Sequence, residues 1–321
     1  MYLNRILFSL LLLMMSTFAS ATHNRAGEII ACRIGNSNVY SITIITHTKL
    51  SAPADRPELP INWGDSPIWD TIQRTDIQDF PGQDLRRSEY VAEHTYAGPG
   101  TYILQMDDQN RNGGVENIPN SIAQSFSVKT QLVISPITGG NCSVRFEQSP
   151  IQDACIGQPW IHNPVAYDPD GDSLTFTPIV CLGINGEPIG GYSFPGPNYS
   201  IDPTSGTITW NAPQFAGEYN IAFIVREYRR LPNGGWIEVG YVIRDMQITV
   251  VPCSNVVPSV SAVLDTCVEA GTFLSFNVQA TDPNAGQDVT LTGLGQPFVV
   301  SSSPASFVEP APANSVNGIF N

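Results

Sequence analysis

Apolar and polar residues alternate along much of this chain, which is the pattern of β-strands with one buried face. The apolar residues Tyr40, Ile42 and Ile44 alternate with polar neighbours, and the same period of two recurs in the segments 219–225 and 274–278. The 27 glycines and 26 prolines separate these runs at short intervals, and helical periodicity is limited to one possible turn in 84–92. The pattern predicts an all-β fold of antiparallel strands joined by turns.

The chain also repeats part of itself. The segment Asp153–Ile156 recurs as Asp265–Val268, 112 positions later (265 − 153), and Gly206–Ile208 aligns with Gly318–Phe320 at the same offset. A unit of about 110 residues can bury its own core, so the repeat predicts domains rather than short solenoid repeats. The strands that follow the segment 206–208 have no counterpart in the second copy, which therefore reads as truncated. We expect units at 22–138 and 139–255, and an incomplete copy of the second unit at 256–321.

The first 21 residues have the pattern of a cleaved signal peptide. Arg5 precedes an apolar run, Ile6–Met15, and Ala19–Ala21 offers a small-residue cleavage site. A transmembrane anchor is the alternative, but the run is shorter than the ~20 residues that a helix needs to cross a bilayer. We therefore expect cleavage near Ala21, no transmembrane segment, and a protein that is secreted or displayed at the cell surface.

Charge and cysteine content narrow the class of partner and the compartment. Fifteen basic and 29 acidic residues give a net charge of −14, which argues against nucleic acid or an anionic membrane surface as a partner. Six cysteines without a Cys-x-x-Cys pair favour disulfides in an oxidising compartment over a zinc site.

The cysteines near the two expected joins are almost equally spaced. Cys142 and Cys155 are 13 residues apart (155 − 142), and Cys253 and Cys267 are 14 apart (267 − 253). This regularity predicts the disulfides Cys142–Cys155 and Cys253–Cys267, each closing the loop between the last strand of one unit and the first strand of the next. A loop of that length is worth ~3 kcal/mol in the chain-entropy account.

One acidic loop has the spacing of a calcium site. Asp168, Asp170 and Asp172 surround Gly171, so a tight turn could direct several carboxylates at one hard cation. The alternative is a turn in which the aspartates accept hydrogen bonds from backbone amides without an ion. The bidentate glutamate that closes an EF-hand is missing, and calcium is therefore an expectation that competes with the plain turn.

A second acidic loop is a weaker candidate for calcium. Asp108, Asn110 and Asn112 reproduce the start of a calcium-binding loop, but the position of its closing carboxylate is Pro119. The interpretation as a polar turn after a strand is favoured.

Aromatic residues raise the possibility of carbohydrate binding. Trp210 alternates with Ile208 in a strand and is expected in the core, whereas Trp236 follows the turn Asn233–Gly235 and is the tryptophan expected to be exposed and available to a glycan. The sequence has no nucleophile elbow, zinc-protease helix or phosphate loop, and nothing places two carboxylates across a cleft. We expect no enzyme.

Two short motifs carry a resemblance to a known family. Trp63–Asp65 and His94–Tyr102 resemble the paired motifs of the polycystic-kidney-disease-type (PKD) domain, an immunoglobulin-like β-sandwich. Further segments resemble the N-terminal region of large surface proteins of gliding bacteria, which carry tandem PKD-like and cadherin-like domains and a type IX secretion sorting domain. These segments are 27–30, 40–43, 110–112, 117–121, 168–174 and 240–248.

The resemblance implies tandem immunoglobulin-like sandwiches, the last one truncated, in a non-enzymatic surface protein with a structural or adhesive role linked to gliding motility. Its surface ligand, a glycan or a protein, is unknown. Carbohydrate-binding accessory modules of a secreted enzyme are the alternative. Such proteins tend to have a second cysteine that would pair with Cys32, and this chain lacks it; a Cys32–Cys181 bridge and two free thiols are both open. In such a motif His94 is expected to order a turn.

Overall fold

The computed structural model describes residues 24–109, 111–263, 266–269, 271–300 and 302–321, so the expected signal peptide at 1–21 lies outside it. The described chain is almost entirely β, as its period of two predicts. No helix in these ranges is long and apolar enough to cross a membrane.

The first seven strands form an immunoglobulin-like sandwich, here called the first sandwich. One sheet has the order β1-β2-β5-β4 and the other β3-β6-β7, with β3 also pairing to β4. These orders correspond to the ABED and CFG sheets of an immunoglobulin domain. The Tyr102 hydroxyl donates to the Gly98 carbonyl over 2.9 Å at the start of β6, as in the tyrosine corner of that fold. The strands are β1 (Asn24–Arg33), β2 (Val39–Thr48), β3 (Glu58–Asn62), β4 (Asp70–Phe80), β5 (Leu85–Thr95), β6 (Gly100–Asp108) and β7 (Phe126–Ile134).

The next nine strands form a second sandwich. One sheet has the order β9-β16-β15-β12, in which β9 runs parallel to β16, and the opposite sheet is β10-β14-β13. The short pair β8 and β11 lies apart from both. The strands are β8 (Arg145–Phe146), β9 (Ile151–Cys155), β10 (Trp160–His162), β11 (Ala166–Tyr167), β12 (Ser173–Ile179), β13 (Tyr199–Ile201), β14 (Ile208–Trp210), β15 (Gly217–Arg230) and β16 (Trp236–Val251).

Each sandwich has its own hydrophobic core. In the first, the alternating residues Tyr40, Ile42 and Ile44 are buried with Trp63 and the apolar residues of the facing sheet. In the second, Trp160 and Trp210 pack with the inward residues of β15 and β16, so Trp210 is a core residue as expected. Burial of such side chains stabilises by about 1.5–3 kcal/mol each, and the two cores account for the period of two along the chain.

The two sandwiches are joined by one continuous sheet. Strand β16 pairs antiparallel with β7 at Gly240–Val242 and touches β1 where Asp245 lies opposite Gly27. A Cβ atom on Gly240 would lie 2.7 Å from the Gln131 carbonyl oxygen, so this approach needs glycine. Because β16 belongs to both sandwiches, they are not independent beads on a flexible linker.

Residues after 255 form a smaller four-stranded sheet. Its order is β17-β18-β20-β19, and its buried cluster contains only Ala280, Val289 and Val316. The Gly295 amide donates to Glu147 Oε2 over 2.6 Å, which ties this segment to the second sandwich. The elements are β17 (Ser259–Ser261), β18 (Phe276–Thr281), α1 (Gln296–Val299), β19 (Phe307–Val308) and β20 (Ser315–Phe320).

The disulfide pairing predicted from spacing is wrong. The bridges are Cys32–Cys142 and Cys155–Cys253, not Cys142–Cys155 and Cys253–Cys267. Cys181 is a buried thiol and Cys267 an exposed one, so neither a Cys32–Cys181 bridge nor a free Cys32 occurs.

Strand pairing explains the correct bridges. Residues 141–143 run beside β1, where the Arg33 amide donates to the Asn141 carbonyl over 3.1 Å and the Ser143 amide donates to the Ala31 carbonyl over 2.8 Å. The parallel pairing of β9 with β16 places Cys155 opposite Val251, close to Cys253. Each bridge therefore ties the first strand of a sandwich to the segment that follows its last strand. Closing a loop of about 100 residues is worth roughly 4–5 kcal/mol in the chain-entropy account, more than the short loops would give.

Candidate functional site

A buried ion pair lies where the two sandwiches meet. Arg111, in the segment after β6, donates from Nη2 to Asp245 Oδ2 over 2.6 Å and to the Leu182 carbonyl over 2.8 Å. Its guanidinium also lies 4.8 Å from the centre of the Phe126 ring. Because burying a charge without a partner is costly, each member of this pair depends on the other to remain in place.

Amide side chains surround this pair and complete its hydrogen bonds. Asn220 of β15 donates to Asp245 Oδ1 and to the Arg25 carbonyl, both over 2.9 Å. Its backbone amide donates to Asn117 Oδ1 over 2.9 Å, and Asn117 Nδ2 donates back to the Asn220 carbonyl over 2.7 Å. Gln247 donates from Nε2 to both Asn112 Oδ1 and Asn220 Oδ1 over 2.9 Å. We call residues 25, 111, 112, 117, 220, 245 and 247 the junction network.

Strand β16 carries a second ion pair beside the first. Arg244 Nε lies 3.0 Å from Glu28 Oε2, its Nη2 donates to the Gln148 carbonyl over 2.7 Å, and the guanidinium covers the Phe146 ring at 4.4 Å. These side chains and His47 line a cavity of about 290 Å³ between the sandwiches. Burial raises the pKa of Glu28 and holds the pKa of His47 well below its ordinary value, with Arg244 acting in the same direction on His47.

The junction network uses segments that the sequence singled out only through resemblance. Residues 110–112, 117–121 and 240–248 were matched as motifs, but no pattern indicated that their polar side chains meet. The available signal is the run Arg244–Gln247, in which three polar residues interrupt a strand that is otherwise apolar. In a buried strand such residues need partners, and those partners come from the other sandwich.

The aspartate loop, residues 168–172, brings its three carboxylates together. Ligand oxygens of Asp168, Asp170 and Asp172 lie within 4.8 Å of one another. Asp168 Oδ1 accepts hydrogen bonds from the backbone amides of Asp170 over 2.8 Å and Asp172 over 3.1 Å, which is the turn geometry. Its buried Oδ2 has no hydrogen-bond partner. The loop thus combines the turn with an oxygen that is free to accept a ligand.

An arginine provides the positive charge at this loop. Arg229 of β15 donates from Nε to Asp172 Oδ1 over 2.8 Å and from Nη2 to Asp172 Oδ2 over 2.6 Å and Asp170 Oδ2 over 3.1 Å. Its Nη1 also donates to the carbonyls of Thr138 and Gly140, over 2.7 and 2.6 Å. Asp170 Oδ2 additionally accepts the Cys142 amide over 2.7 Å. The loop therefore grips the segment that connects the two sandwiches.

Two carboxyl groups behind the loop titrate abnormally. Burial raises the pKa of Asp168 to about 6, against backbone hydrogen bonds that favour its ionised form. Burial also raises the pKa of Glu227 to about 8, although the Val144 amide and Asn141 donate to its carboxylate over 2.8 and 2.6 Å. Both groups lie where the connecting segment packs on β15.

The second acidic loop is not assembled as a metal site by its described residues. Asp108 accepts hydrogen bonds from Asn24 over 2.5 Å and lies 2.9 Å from Arg56 Nε, whereas Asn112 belongs to the junction network. Asn110 lies outside the described residues. The two side chains that can be compared thus serve different partners.

The PKD-like motif residues form a local structural cluster. The His94 ring stacks on Trp63, with centroids 4.6 Å apart and planes inclined by 7°, and His94 Nε2 lies 2.7 Å from Asp65 Oδ2. Tyr96 donates from its hydroxyl to the Trp63 carbonyl over 3.1 Å. His94 therefore orders the turn at Trp63–Asp65, which is the role expected from the sequence.

Trp236 is exposed, as the sequence predicts. It begins β16 after the hairpin turn, where the Gly234 amide donates to the Leu231 carbonyl over 2.9 Å, and 57% of its surface is accessible. It pairs in the strand ladder with Arg230.

Comparisons with known proteins place the chain in no family. No protein-family model and no curated protein matches this chain. Among solved structures, the tandem Ig repeats of Dlar are 12% identical with a TM-score of 0.21, covering 68% of this chain and 91% of that one. The Ig1-2 module of the Drosophila receptor protein tyrosine phosphatase DLAR gives 13% and 0.21, covering 70% and 98%, and a marsupial T cell receptor gives 11% and 0.20, covering 93% and 92%. Scores this low carry no argument, and the immunoglobulin-like assignment rests on the strand order.

Proposed function

We propose that this chain is a non-enzymatic, exported protein of the cell surface, with a structural or adhesive role, whose two sandwiches act as one rigid body. The observation that carries the proposal is the continuous sheet from β7 through β16, sealed by the buried pair Arg111–Asp245. Independent domains joined by a flexible linker would not need a charged network of this kind at their contact. A stiff spacer or a fixed binding platform would.

Two further features support display outside the cell. Both sandwiches are closed by disulfides, which persist in oxidising compartments. The net charge of −14 suits a soluble surface module and disfavours nucleic acid. The motif resemblance favours, as the more specific proposal, a PKD-like and a cadherin-like unit in a surface protein of gliding bacteria exported by type IX secretion.

Calcium at the aspartate loop is part of this proposal. Asp168 Oδ2 is buried without a partner, and the neighbouring oxygens of Asp170 and Asp172 are close enough to share one ion. Arg229 already neutralises part of that charge, so calcium would bind in competition with the guanidinium. Binding would stiffen the segment that connects the sandwiches.

A carbohydrate-binding module of a secreted enzyme is the second candidate. The exposed Trp236 favours it, because a flat aromatic ring can stack on a sugar. An adhesive module and an accessory module share this property.

The rigid-body proposal can be tested by distance measurement. Spin labels at Ile77→Cys in β4 and Thr177→Cys in β12 sit on exposed positions of the two sandwiches, in a Cys267→Ser background that removes the exposed native thiol. Pulsed electron-electron resonance should give one narrow distance distribution. The same labels with Asp245→Ala should give a broader one, because Arg111 loses its partner. A broad distribution in the unmodified junction would refute the rigid body.

A further inference from the structure

A cleft opens at one end of the second sandwich, away from the residues discussed so far. Its walls are the loop 195–198, before β13, and the loop 211–215, between β14 and β15, and its volume is about 320 Å³. That is near the lower end of the range for pockets that bind small ligands. Trp210 and Tyr219 contribute to its lining from the two strands.

Aromatic rings give this cleft its apolar surface. Phe215 is 75% exposed at the rim, while Trp210 and Tyr219 pack edge to face with centroids 4.9 Å apart. Exposing a phenylalanine to this extent forgoes the burial that stabilises such side chains, and exposed aromatic rings rimmed by polar groups are typical of binding sites. Behind the 195–198 loop, Phe194 stacks on Tyr199 with centroids 5.6 Å apart.

The polar groups of the cleft are uncharged. Asn198, Asn211 and Gln214 present side-chain amides, and among the described lining residues there is no carboxylate, lysine, arginine or histidine. In a chain with a net charge of −14, a neutral cleft excludes ligands that are selected by charge. Amides both donate and accept hydrogen bonds, and hydroxyl groups do the same, so the two are complementary.

Hydrogen bonds hold the cleft in shape without a ligand. Tyr219 donates from its hydroxyl to the Phe215 carbonyl over 3.2 Å, and the Asn211 amide donates to the Asn198 carbonyl over 3.1 Å. Ala212 adopts a left-handed conformation with φ of 58°, which costs about 1–3 kcal/mol and is kept only when the surroundings impose it. A loop fixed in this way loses little entropy when a ligand binds.

The backbone around the cleft is not available to a peptide strand. Tyr199–Ile201 of β13 pairs with Ile208–Trp210 of β14, and the Asn211 amide beyond them is already bonded. Strand addition needs an unpaired edge, so recognition here would use side chains alone. This favours a small, hydroxyl-rich ligand over an extended peptide.

We infer that this cleft binds a neutral saccharide, with a sugar ring stacked on Phe215 and its hydroxyl groups bonded to the amides of Asn198 and Asn211. The inference deepens the adhesive role in the proposed function by giving its ligand class, and it assigns the contact to Phe215 instead of Trp236. The distance measurement across the junction tests the rigid body separately, so the two can fail independently.

Titration calorimetry of the full chain against neutral tetrasaccharides tests the inference. The probes are β-1,4-glucan, β-1,3-glucan, chitin and α-mannan tetrasaccharides, with sulfated versions and a proline-rich peptide as comparisons. We expect at least one neutral probe to bind, with an affinity that does not change between about 0.05 and 0.5 M salt, because no charge is involved. Phe215→Ala should weaken that binding about tenfold through lost stacking.

Matched variants separate the cleft from other exposed aromatics. Trp236→Ala and Phe273→Ala remove rings that are exposed elsewhere and should leave the affinity unchanged. Tyr219→Phe, which removes the bond to the Phe215 carbonyl, should weaken binding with an unchanged melting temperature. The inference is overturned if no neutral probe binds at millimolar concentration, if only the sulfated probes or the peptide bind, or if Trp236→Ala abolishes binding while Phe215→Ala does not.

Discussion

Arg111 and Asp245 lie 134 positions apart in the chain, and their side chains meet at 2.6 Å with no more than 1% of either exposed. The pair joins the segment after β6 to the centre of β16, and the amides of Asn220 and Gln247 saturate the groups around it. A polar contact of this kind adds little net stability over an apolar one, but it is strongly directional. It therefore fixes how one sandwich is oriented on the other.

Removing one member of the pair should destabilise the whole two-sandwich unit. Asp245→Ala leaves the Arg111 guanidinium buried without its anion, and we expect a loss of about 3–5 kcal/mol in the free energy of unfolding. Urea denaturation followed by tryptophan fluorescence measures this. The double variant Arg111→Met with Asp245→Leu should recover much of the loss, because no charge is left buried.

The matched control is the partly exposed pair Arg226 and Glu238, whose Nη1 and Oε1 atoms are 2.9 Å apart. Glu238→Gln should cost no more than about 1 kcal/mol, because solvent screens that pair. If Asp245→Ala costs as little as the control, the junction network does not hold the sandwiches together.

The aspartate loop predicts a pH dependence of stability. Burial raises the pKa of Asp168 to about 6 in the folded protein, so its neutral form is favoured there more than in the unfolded chain. This contribution to stability is complete below about pH 4 and is lost as the pH rises through 6, by roughly 2–3 kcal/mol. Asp168→Asn keeps the accepting Oδ1 and should flatten this part of the profile, measured by urea denaturation from pH 4 to pH 8.

Asp202 provides the opposite case on the same sandwich. Backbone amides of Ser205 and Thr204 donate to its exposed carboxylate and lower its pKa. Its contribution is present at neutral pH and is lost as the pH falls, so Asp202→Asn should change only the acidic end of the profile. A wild-type profile that coincides with that of Asp168→Asn between pH 4 and pH 7 would rule out the raised pKa.

Calcium should raise the melting temperature of the full chain if the aspartate loop binds it. The ion binds only the folded state, so millimolar calcium should stabilise the protein relative to chelator by mass action. Asp170→Ala removes one ligand and should abolish the increment, while Asp202→Ala should leave it intact. Differential scanning calorimetry decides the matter: equal melting temperatures in calcium and chelator mean that Arg229 alone neutralises the loop.

The cysteines predict two thiols of very different reactivity. Cys267 is exposed and should react with a thiol reagent in the native protein. Cys181 is completely buried, and burial raises its pKa well above the ordinary value, so it should react only in denaturant. Peptide mapping without reduction should recover Cys32 linked to Cys142 and Cys155 linked to Cys253, and recovery of Cys142 linked to Cys155 would contradict the fold.

Local patterns were sufficient for the class of fold but not for its long-range pairings. Alternation around Ile42 and the cluster of Trp63 with His94 depend on neighbours in one strand or one turn, so the sequence could predict them. The cysteine spacing reported that Cys142 and Cys253 occupy equivalent positions, but equal spacing does not distinguish a bridge within a sandwich from one between neighbours. That choice depends on the register of β9 against β16.

The candidate site shows the same limit more sharply. The carboxylates of Asp168 and Asp172 are close in sequence, and their meeting was foreseen, whereas Arg229 reaches them only because β15 pairs with β12. The cleft beside Phe215 combines two loops whose separate sequences read as ordinary turns. Sites made from one loop can be predicted from sequence, and sites made between loops need the fold.

Strand β16 also sets the order in which this protein can mature. Its pairing partners on β7 and β1 are synthesised about 100 residues earlier, so a ribosome adding ~5–20 residues per second leaves their edges open for roughly 5–20 s. During that interval the first sandwich has an unpaired edge and a buried-type arginine, Arg111, without its anion. Completion of the first half of the molecule therefore waits for the second, and protection of the nascent chain matters most in that interval.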